Sequence, residues 1–152
     1  MPKFTVRVYG LVVNDKNEIL VSDEKYMDTL FTKFPGGGLE YGEGTRECLK
    51  REMLEEYGQE IEVTDHVYTT DFFQESLFYK GYQVIAIYYK IKLLDPVVIR
   101  ISATRFDFDT SMERGQSLRW AYLPDLTESD LAFPVDRYVL KILQRIAKGS
   151  LL

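Results

Sequence analysis

The chain has 152 residues, of which 45% are hydrophobic and 28% are charged, and its formal net charge is −5. This length predicts one domain, residues 1–152, with a core large enough to be stable without disulfides, and the single cysteine excludes a disulfide framework. The acidic balance disfavours binding to a nucleic-acid polymer. We find no apolar run typical of a signal peptide or a membrane span, so we expect a soluble, cytoplasmic protein.

The first third of the chain predicts strands. Residues Phe4–Val13 are rich in β-formers, Asn14–Asn17 supplies a turn, and Glu18–Ser22 resumes a strand, so a hairpin of a central sheet is expected. Residues Leu30–Phe34 predict a further strand. We expect this strand to stop at Pro35–Gly38, where proline lacks a donor and glycine adopts conformations closed to other residues.

A helix is predicted over Thr45–Tyr57. Cys48, Leu49 and Met53 recur at helical spacing and give it an apolar side, and Gly58 follows as a C-cap. Cys48 is therefore expected to pack in the core rather than to react.

The rest of the chain predicts strands and one more helix. Residues Ile61–Phe73 and Gln83–Leu93 are expected to be strands, the second with strict alternation of apolar and polar residues. Residues Asp95–Ser117 are irregular in pattern, and a strand resumes at Leu118. Pro134 opens a helix that Gly149 ends, and its expected apolar stripe consists of Val135, Val139, Ile142, Leu143 and Ile146. Strands mixed with two helices predict an α/β fold in which helices pack on a mixed sheet.

Acidic residues are concentrated in one stretch. Residues Glu40–Glu60 contain seven glutamates and three basic residues, a net charge of −4. On a helix, Glu52, Glu55 and Glu56 share one face, where like charges cost about 0.2–0.5 kcal/mol per pair. The alternatives are a solvated acidic face and a surface that binds divalent cations.

The sequence around these glutamates resembles the Nudix box, G-x5-E-x7-R-E-U-x-E-E-x-G-U, in which U is a bulky apolar residue. Residues Gly37–Gln59, GGLEYGEGTRECLKREMLEEYGQ, match eight of its nine defined positions, including every charged one. The departure is Gln59 at the last U position, where we expect a local packing adjustment. The box covers 23 of the 152 residues, and FPGG at its entry is also similar to the family.

The resemblance implies a Nudix α/β/α sandwich, with a mixed sheet, helices on both sides and the box as a loop–helix–loop. It also implies a metal-dependent pyrophosphohydrolase that uses Mg²⁺ or Mn²⁺. The substrate would be a nucleoside diphosphate linked to another moiety, and the short chain favours a nucleoside triphosphate or ADP-ribose. A homodimer is common in the family.

Residue roles follow from the matched positions. The resemblance makes Glu55 and Glu56 metal ligands, Glu52 either a ligand or the group that activates water, and the carbonyl of Gly37 a further ligand. Arg51, which we group with these glutamates as catalytic, is expected to pair with Glu43 and hold the loop against the helix; the alternative is an ordinary surface ion pair. Glu40 and Glu47 lie outside the defined positions and are expected to be solvated.

Residues outside the box supply further candidates. The water-activating base could be a glutamate of the box or one of four loop acids, namely Glu75, Asp107, Asp109 and Glu113. Arg7 and Tyr9 share a strand face and are candidates for substrate contact, as are Tyr88 and Lys90. His66, the single histidine, is expected at a strand surface, and Trp120 is expected to be structural.

A rival hypothesis is a Nudix-fold module that binds a nucleotide or sugar phosphate without cleaving it. Such modules typically lose charged positions of the box, and all of these positions are intact in this chain. A structural Ca²⁺-binding helix is disfavoured because the stretch lacks the D-x-[DN]-x-[DN]-G pattern of an EF-hand loop. Magnesium-dependent turnover separates the enzyme from both alternatives.

Overall fold

The computed structural model describes residues Lys3–Ala147 and Gly149. In chain order the elements are β1 (Lys3–Leu11), β2 (Glu18–Tyr26), β3 (Thr29–Lys33), β4 (Gly36–Gly38), α1 (Thr45–Tyr57), β5 (Ile61–Thr69), β6 (Tyr82–Leu93), β7 (Gly115–Tyr122) and α2 (Pro134–Ala147). This combination confirms the predicted α/β class. Contacts divide the chain into two compact units, and the expectation of a single domain stays a prediction.

The first unit comprises the residues up to Val12 together with Phe34–Arg100. Its four-stranded sheet has the order β4-β1-β6-β5. Strand β1 runs parallel to β6 and antiparallel to β4, and β5 is antiparallel to β6, so the sheet is mixed as predicted. Among the described strands, β4 is therefore an edge strand that pairs with β1.

The core of the first unit lies between α1 and one face of this sheet. Cys48, Leu49 and Met53 of α1 are fully buried, as their helical spacing predicts. They pack with Val8 of β1 and with alternate residues of β6, including Ile91. This packing fixes one side of α1, because the buried side of a helix determines which way its opposite side points.

The second unit comprises Val13–Lys33 and the residues from Ile101 onward. Its three strands pair antiparallel in the order β3-β2-β7. The carboxylate of Asp23, which is fully buried in this sheet, accepts hydrogen bonds from Arg119 Nε at 2.7 Å and from Thr32 Oγ1 at 2.7 Å. Arg105, in the irregular segment before β7, donates to the same threonine hydroxyl at 2.9 Å. The irregular segment is thus tied to its own sheet.

One prediction about the amino-terminal strands is wrong. The strands β1 and β2 do not form a hairpin of one sheet, because β1 pairs with β4 and β6 whereas β2 pairs with β3 and β7. One isolated bridge, between Val13 and Ile19, is what remains of the expected pairing. Strand β3 ends at Lys33, before Pro35, as predicted, but Gly36–Gly38 then forms a further short strand that pairs with β1, since glycine still offers a backbone donor and acceptor.

Smaller differences concern the ends of elements. Strand β5 ends at Thr69 rather than at Phe73, and its pairing with β6 shifts register on either side of His66. On α2 the buried apolar stripe fades toward the carboxyl end, where Ile146 is exposed. Gly149 lies just beyond α2 with a φ of 77°, as expected for a residue that ends a helix. Within the described residues, neither helix combines the length and the apolar character needed to cross a membrane.

Candidate active site

The glycine strand β4 and the helix α1 meet at Gly37. Val8 of β1 lies opposite Gly37 and is buried against α1, so this face of β4 points toward the helix. A Cβ atom at residue 37 would lie 2.3 Å from Cδ of Glu52. The carboxyl group of Glu52 therefore rests against the backbone of Gly37, and a side chain at residue 37 would have to displace this carboxylate.

The ends of α1 are defined by glycines. Gly44 is the N-cap, and its backbone N–H donates to the carboxylate of Glu47 at 3.3 Å. Gly58 adopts the left-handed conformation at the C-cap, with a φ of 64°, and its N–H donates to the carbonyl of Leu54 at 2.9 Å. The observed helix begins and ends at the predicted residues, Thr45 and Tyr57.

Arg51 joins the helix to the loop before it. Its Nε and Nη2 donate to the two carboxylate oxygens of Glu43, at 2.9 and 2.7 Å, in a bidentate pair. Nη2 also donates to the carbonyl of Gly38 at 3.1 Å. The predicted ion pair is thus present, and one guanidinium links α1, the loop and β4.

The same guanidinium also faces two glutamates of the helix and one more of the loop. Nη1 of Arg51 lies 3.1 Å from a carboxylate oxygen of Glu52 and 3.1 Å from one of Glu55. Glu40 is more distant, at 3.8 Å, and its side chain is 69% exposed. Glu52 is the least exposed of these three glutamates, with 14% of its side chain exposed against 61% for Glu55.

These contacts shift the ionisation of the pair. The hydrogen bonds from Arg51, with a further backbone hydrogen bond at Glu40, lower the pKa of Glu43 from 4.5 to about 2. The hydrogen bond to Glu43 likewise raises the pKa of Arg51 above its already high value. Both groups therefore stay charged at neutral pH.

Cys48 lies next to the ion pair of Arg51 and Glu43. Its side chain is fully buried, and Sγ lies 3.5 Å from the carbonyl of Gly38. Burial, followed by the charge of Glu43, raises the pKa of the thiol to about 12. Because the thiolate is the reactive form of cysteine, this residue packs in the core and does not serve as a nucleophile.

The glutamates that the sequence nominates as metal ligands do not converge on a common point. Within Lys3–Ala147 and Gly149, no group of three acidic, histidine or cysteine side chains lies close enough to hold a metal ion. Glu52 and Glu55 instead share Nη1 of Arg51, and Glu56 is exposed on the same helix. Their role as ligands stays a prediction.

Gln59, the departure from the Nudix box, is fully buried at the end of the helix. Its Nε2 donates to the carbonyls of Glu60 and Leu94, both at 2.8 Å, and its Oε1 accepts from the N–H of Val98 at 2.8 Å. A polar side chain is thus accommodated through three hydrogen bonds, beyond the simple packing adjustment that we expected.

The other nominated residues are dispersed. In the first unit, Glu75 accepts a hydrogen bond from the N–H of Gly81 at 3.2 Å. The remaining three loop acids lie in the second unit, where Ser111 donates twice to Asp109 and lowers its pKa. His66 is exposed on β5, as predicted, and contacts the hydroxyl of Thr69 at 2.7 Å. None of these contacts shows which residue activates the attacking water.

On β1, Arg7 and Tyr9 lie on the sheet face opposite to Val8 and α1, because alternate residues of a strand point to opposite faces. Arg7 pairs in register with Gly38, and Tyr9 pairs with Gly36. Sequence reasoning missed the role of Gly38, whose carbonyl binds Arg51. The glycine run was the available signal, but Gly38 is not a defined position of the box.

Comparison with known proteins identifies the family of this chain. The NUDIX domain family matches residues 3–134. No curated protein matches the chain. Among solved structures, the Escherichia coli ORF135 protein has a TM-score of 0.73 and 20% identity, with 97% of this chain and 94% of that chain covered.

Two further structures carry the MutT name. The MutT NUDIX hydrolase from Burkholderia pseudomallei has a TM-score of 0.69 and 20% identity, with 91% of this chain and 97% of that chain covered. The MutT structure from a study of Aliivibrio salmonicida and Vibrio cholerae has a TM-score of 0.56 and 27% identity, with 96% and 99% covered. With the family match over most of its length, this chain belongs to the Nudix family and is a hydrolase that acts on nucleotide derivatives.

Proposed function

We propose that this protein is a divalent-metal-dependent pyrophosphohydrolase. Its substrate is a nucleoside diphosphate linked to another moiety, with a nucleoside triphosphate or ADP-ribose favoured. The observation that carries the proposal is the placement of the Glu52 carboxylate against the bare backbone of Gly37, with Arg51 and Glu43 fixing the adjoining loop. A solvated acidic face requires neither the contact of Glu52 with Gly37 nor the bidentate pair of Arg51 with Glu43.

The donor set suits a hard cation. Nudix hydrolases generally need a divalent metal, and Mg²⁺ or Mn²⁺ prefers oxygen ligands such as carboxylates and carbonyls. Glu52, Glu55, Glu56 and the carbonyl of Gly37 would hold it, once Nη1 of Arg51 releases Glu52 and Glu55. When bound, such an ion neutralises phosphate charge and lowers the pKa of water.

The protein's own groups then position the substrate and move a proton. Water attacks one phosphorus atom of the anhydride, a new P–O bond forms, and the bridging P–O bond breaks. Glu52, if it is not a metal ligand, is the carboxylate that accepts the proton of the attacking water. The products are a nucleoside monophosphate and the phosphate of the second moiety, or pyrophosphate when the substrate is a triphosphate.

No covalent intermediate is part of this proposal. Cys48, the single thiol of the chain, is buried with a pKa of about 12, and the matched positions of the box contain no serine or histidine. Direct attack by water is therefore the step that these residues support.

A nucleotide panel tests the proposal. Nucleoside triphosphates, ADP-ribose, sugar nucleotides and dinucleoside polyphosphates are incubated with Mg²⁺ or Mn²⁺, and released phosphate is measured after phosphatase coupling. We expect turnover of at least one compound that depends on the metal and falls steeply in Glu52→Gln. Binding of nucleotides without turnover by the wild-type protein would favour the non-catalytic binding module instead.

A single turnover in oxygen-18 water tests the mechanism. One label should enter one product phosphate. Release of orthophosphate as the first product from a triphosphate, or a trapped phosphoenzyme, would contradict direct attack on the anhydride. A cytoplasmic location and a homodimer remain predictions that fractionation and light scattering can test.

A further inference from the structure

We propose that Arg7 binds a phosphate oxygen of the substrate, on the face of β4 opposite to Glu52, and that Tyr9 is a positioning residue that orients the Arg7 guanidinium. The inference rests on the proposed function, because it assigns how this site recognises a nucleoside diphosphate. It adds a cationic contact that the Nudix box does not contain.

The carboxylate of Glu52 and the guanidinium of Arg7 lie on opposite faces of strand β4. Gly37 and Gly38 are neighbours, so their Cα atoms lie about 3.8 Å apart, and alternate residues of a strand face opposite sides. A Cβ on Gly37 would lie 2.3 Å from Cδ of Glu52, and a Cβ on Gly38 would lie 3.4 Å from Nη1 of Arg7. One carboxylate and one guanidinium therefore flank a single pair of residues on an edge strand.

The absence of side chains on β4 makes this arrangement possible. Gly36, Gly37 and Gly38 carry no side chains; Gly36 and Gly37 are buried, Gly38 is half-buried, and among the described strands β4 pairs with β1. A phosphate chain that approaches this edge meets the acidic helix on one side and Arg7 on the other. Backbone that a ligand must approach closely is a position where glycine is required.

The guanidinium of Arg7 is oriented by aromatic residues of the same sheet. Its Nε donates to the hydroxyl of Tyr9 at 3.2 Å, and its Cζ lies 5.8 Å from the centre of the Tyr9 ring. The Tyr9 ring packs against Tyr88, with ring centres 5.2 Å apart, and both rings are almost fully buried. Arg7 itself is half-buried. The two packed tyrosine rings therefore support a guanidinium that is partly accessible to solvent.

The charge of the box explains why a further cation is needed. Residues Glu40–Glu60 carry a net charge of −4, which repels an anionic substrate. Arg51 is bound to Glu43 in a bidentate pair, and Arg46 donates to the carbonyl of Val63 at 2.8 Å. Both arginines of α1 thus bind groups of the protein itself, and the planar fork of Arg7 is suited to phosphate oxygens.

Steady-state kinetics on the best substrate of the panel test the inference. We expect Arg7→Gln to raise KM about tenfold or more with a smaller change in kcat, because a charge-assisted hydrogen bond to phosphate is lost. Arg7→Lys should recover part of the loss, since it keeps the charge without the fork. Tyr9→Phe should raise KM severalfold and leave kcat nearly unchanged. Lys92→Gln is the matched control, because it removes one positive charge from an exposed position of the same sheet.

Binding is measured in parallel by calorimetry with an ADP analogue that has a methylene bridge between its phosphates, in the presence of Mg²⁺. Weaker binding in Arg7→Gln, but not in Lys92→Gln, supports the inference. Turnover by the wild type with an unchanged KM and affinity in Arg7→Gln overturns the role of Arg7 and leaves the proposed function standing. Binding without turnover overturns the proposed function, and the affinities of the wild type and Arg7→Gln for the analogue then decide the role of Arg7. If the wild type neither binds nor cleaves, both are overturned.

Discussion

The carboxyl group of Glu52 occupies the space into which a side chain of residue 37 would project. A Cβ atom on Gly37 would lie 2.3 Å from Cδ and 2.5 and 2.6 Å from the two oxygens of Glu52. Contacts this short are repulsive, so an added methyl group must displace either β4 or the carboxylate. Because Gly37 is paired with the buried Val8 of β1, the carboxylate has more freedom to move than the strand.

We therefore predict that Gly37→Ala disables the site while leaving the protein folded. The methyl group should push the Glu52 carboxylate away from the strand. We expect kcat to fall by about 10²-fold or more, since a charged group held for the transition state is misplaced. The rise in Tm that Mg²⁺ or Mn²⁺ produces in the wild type should also shrink, because a metal that binds more weakly stabilises the folded state less.

Gly38→Ala is the matched comparison for this substitution. A Cβ on Gly38 would meet Nη1 of Arg7 at 3.4 Å, which is an ordinary contact distance. The metal-dependent rise in Tm should therefore persist in Gly38→Ala. Equal loss of the metal response in both variants would show that Gly37 is no more constrained than its neighbour.

The helix of the site could be predicted closely because its signals are local. The burial of Cys48, Leu49 and Met53 follows from their spacing, and Gly58 supplies the expected left-handed cap. The contact of Arg51 with Glu43 could be expected from the box, whose charged positions all match. Its bond to the carbonyl of Gly38 could not, since a backbone acceptor leaves no mark on residue identity.

The partners of the strands could not be predicted in the same way. Strand β1 was expected to pair with the next strand along the chain, but it pairs in parallel with β6, which lies about 80 residues later. A short turn between two β-rich segments favours a hairpin, yet it does not exclude partners that are distant in sequence. Strand β4 was missed because its three glycines carry no side-chain pattern.

We predict that Glu52→Gln, Glu55→Gln and Glu56→Gln each lower kcat by about two orders of magnitude or more. Glutamine is nearly the same size as glutamate but lacks the charge that a hard cation or a transferred proton requires. The fold should survive, because the buried side of α1 is untouched. Kinetics at saturating metal and circular dichroism measure the two effects separately.

Glu40→Gln is the control for these three variants. Glu40 is close to the same arginine, at 3.8 Å, and 69% of its side chain is exposed. Losing this distant, exposed contact should change stability by about 0–1 kcal/mol and leave kcat nearly unchanged. A loss of kcat in Glu40→Gln as large as that in Glu56→Gln would contradict the assigned register of the box.

The ion pair between Glu43 and Arg51 predicts a dependence of stability on acid pH. The pKa of Glu43 is about 2 in the folded protein and 4.5 as its ordinary value, so the unfolded chain binds the proton more readily. The stabilisation from this carboxylate is therefore complete above pH 4.5 and is lost as the pH falls toward 2. We expect the difference in Tm between the wild type and Glu43→Gln to be largest near neutral pH and to narrow steadily below pH 4.5.

The comparison of the wild type with Glu43→Gln removes the contribution that other acids make to the pH dependence of Tm in the same range. Asp109 and Glu128 also have lowered pKa values, and both are present in the wild type and in Glu43→Gln. A difference in Tm that stays constant from pH 7 to pH 3 would show that Glu43 is not held ionised by Arg51. Scanning calorimetry at constant ionic strength is suited to the measurement.

The last prediction concerns Gln59, where the chain departs from the Nudix box. Leucine at this position would restore the apolar residue of the box, yet we predict that Gln59→Leu destabilises the protein. The carbonyl of Leu94 and the N–H of Val98 would each lose a partner, whereas the carbonyl of Glu60 would keep the N–H of Leu94 at 3.0 Å. A buried polar group left unsatisfied costs about 1–3 kcal/mol, and because Glu60 and Val98 are exposed to water we expect the free energy of unfolding to fall by about that amount in total.

Urea denaturation of three proteins measures this effect. Gln59→Glu is the matched variant, because it keeps the acceptor for Val98 but replaces the donor to the two carbonyls with a charge. It should be at least as destabilised as Gln59→Leu, since a buried carboxylate facing carbonyl oxygens is strongly unfavourable. The activity of the folded fraction should be retained in Gln59→Leu, because this residue lies beyond the end of α1 and its side chain forms hydrogen bonds with Glu60, Leu94 and Val98 rather than with the residues of the site. A Gln59→Leu protein as stable as the wild type would mean that apolar burial at this position outweighs all three hydrogen bonds.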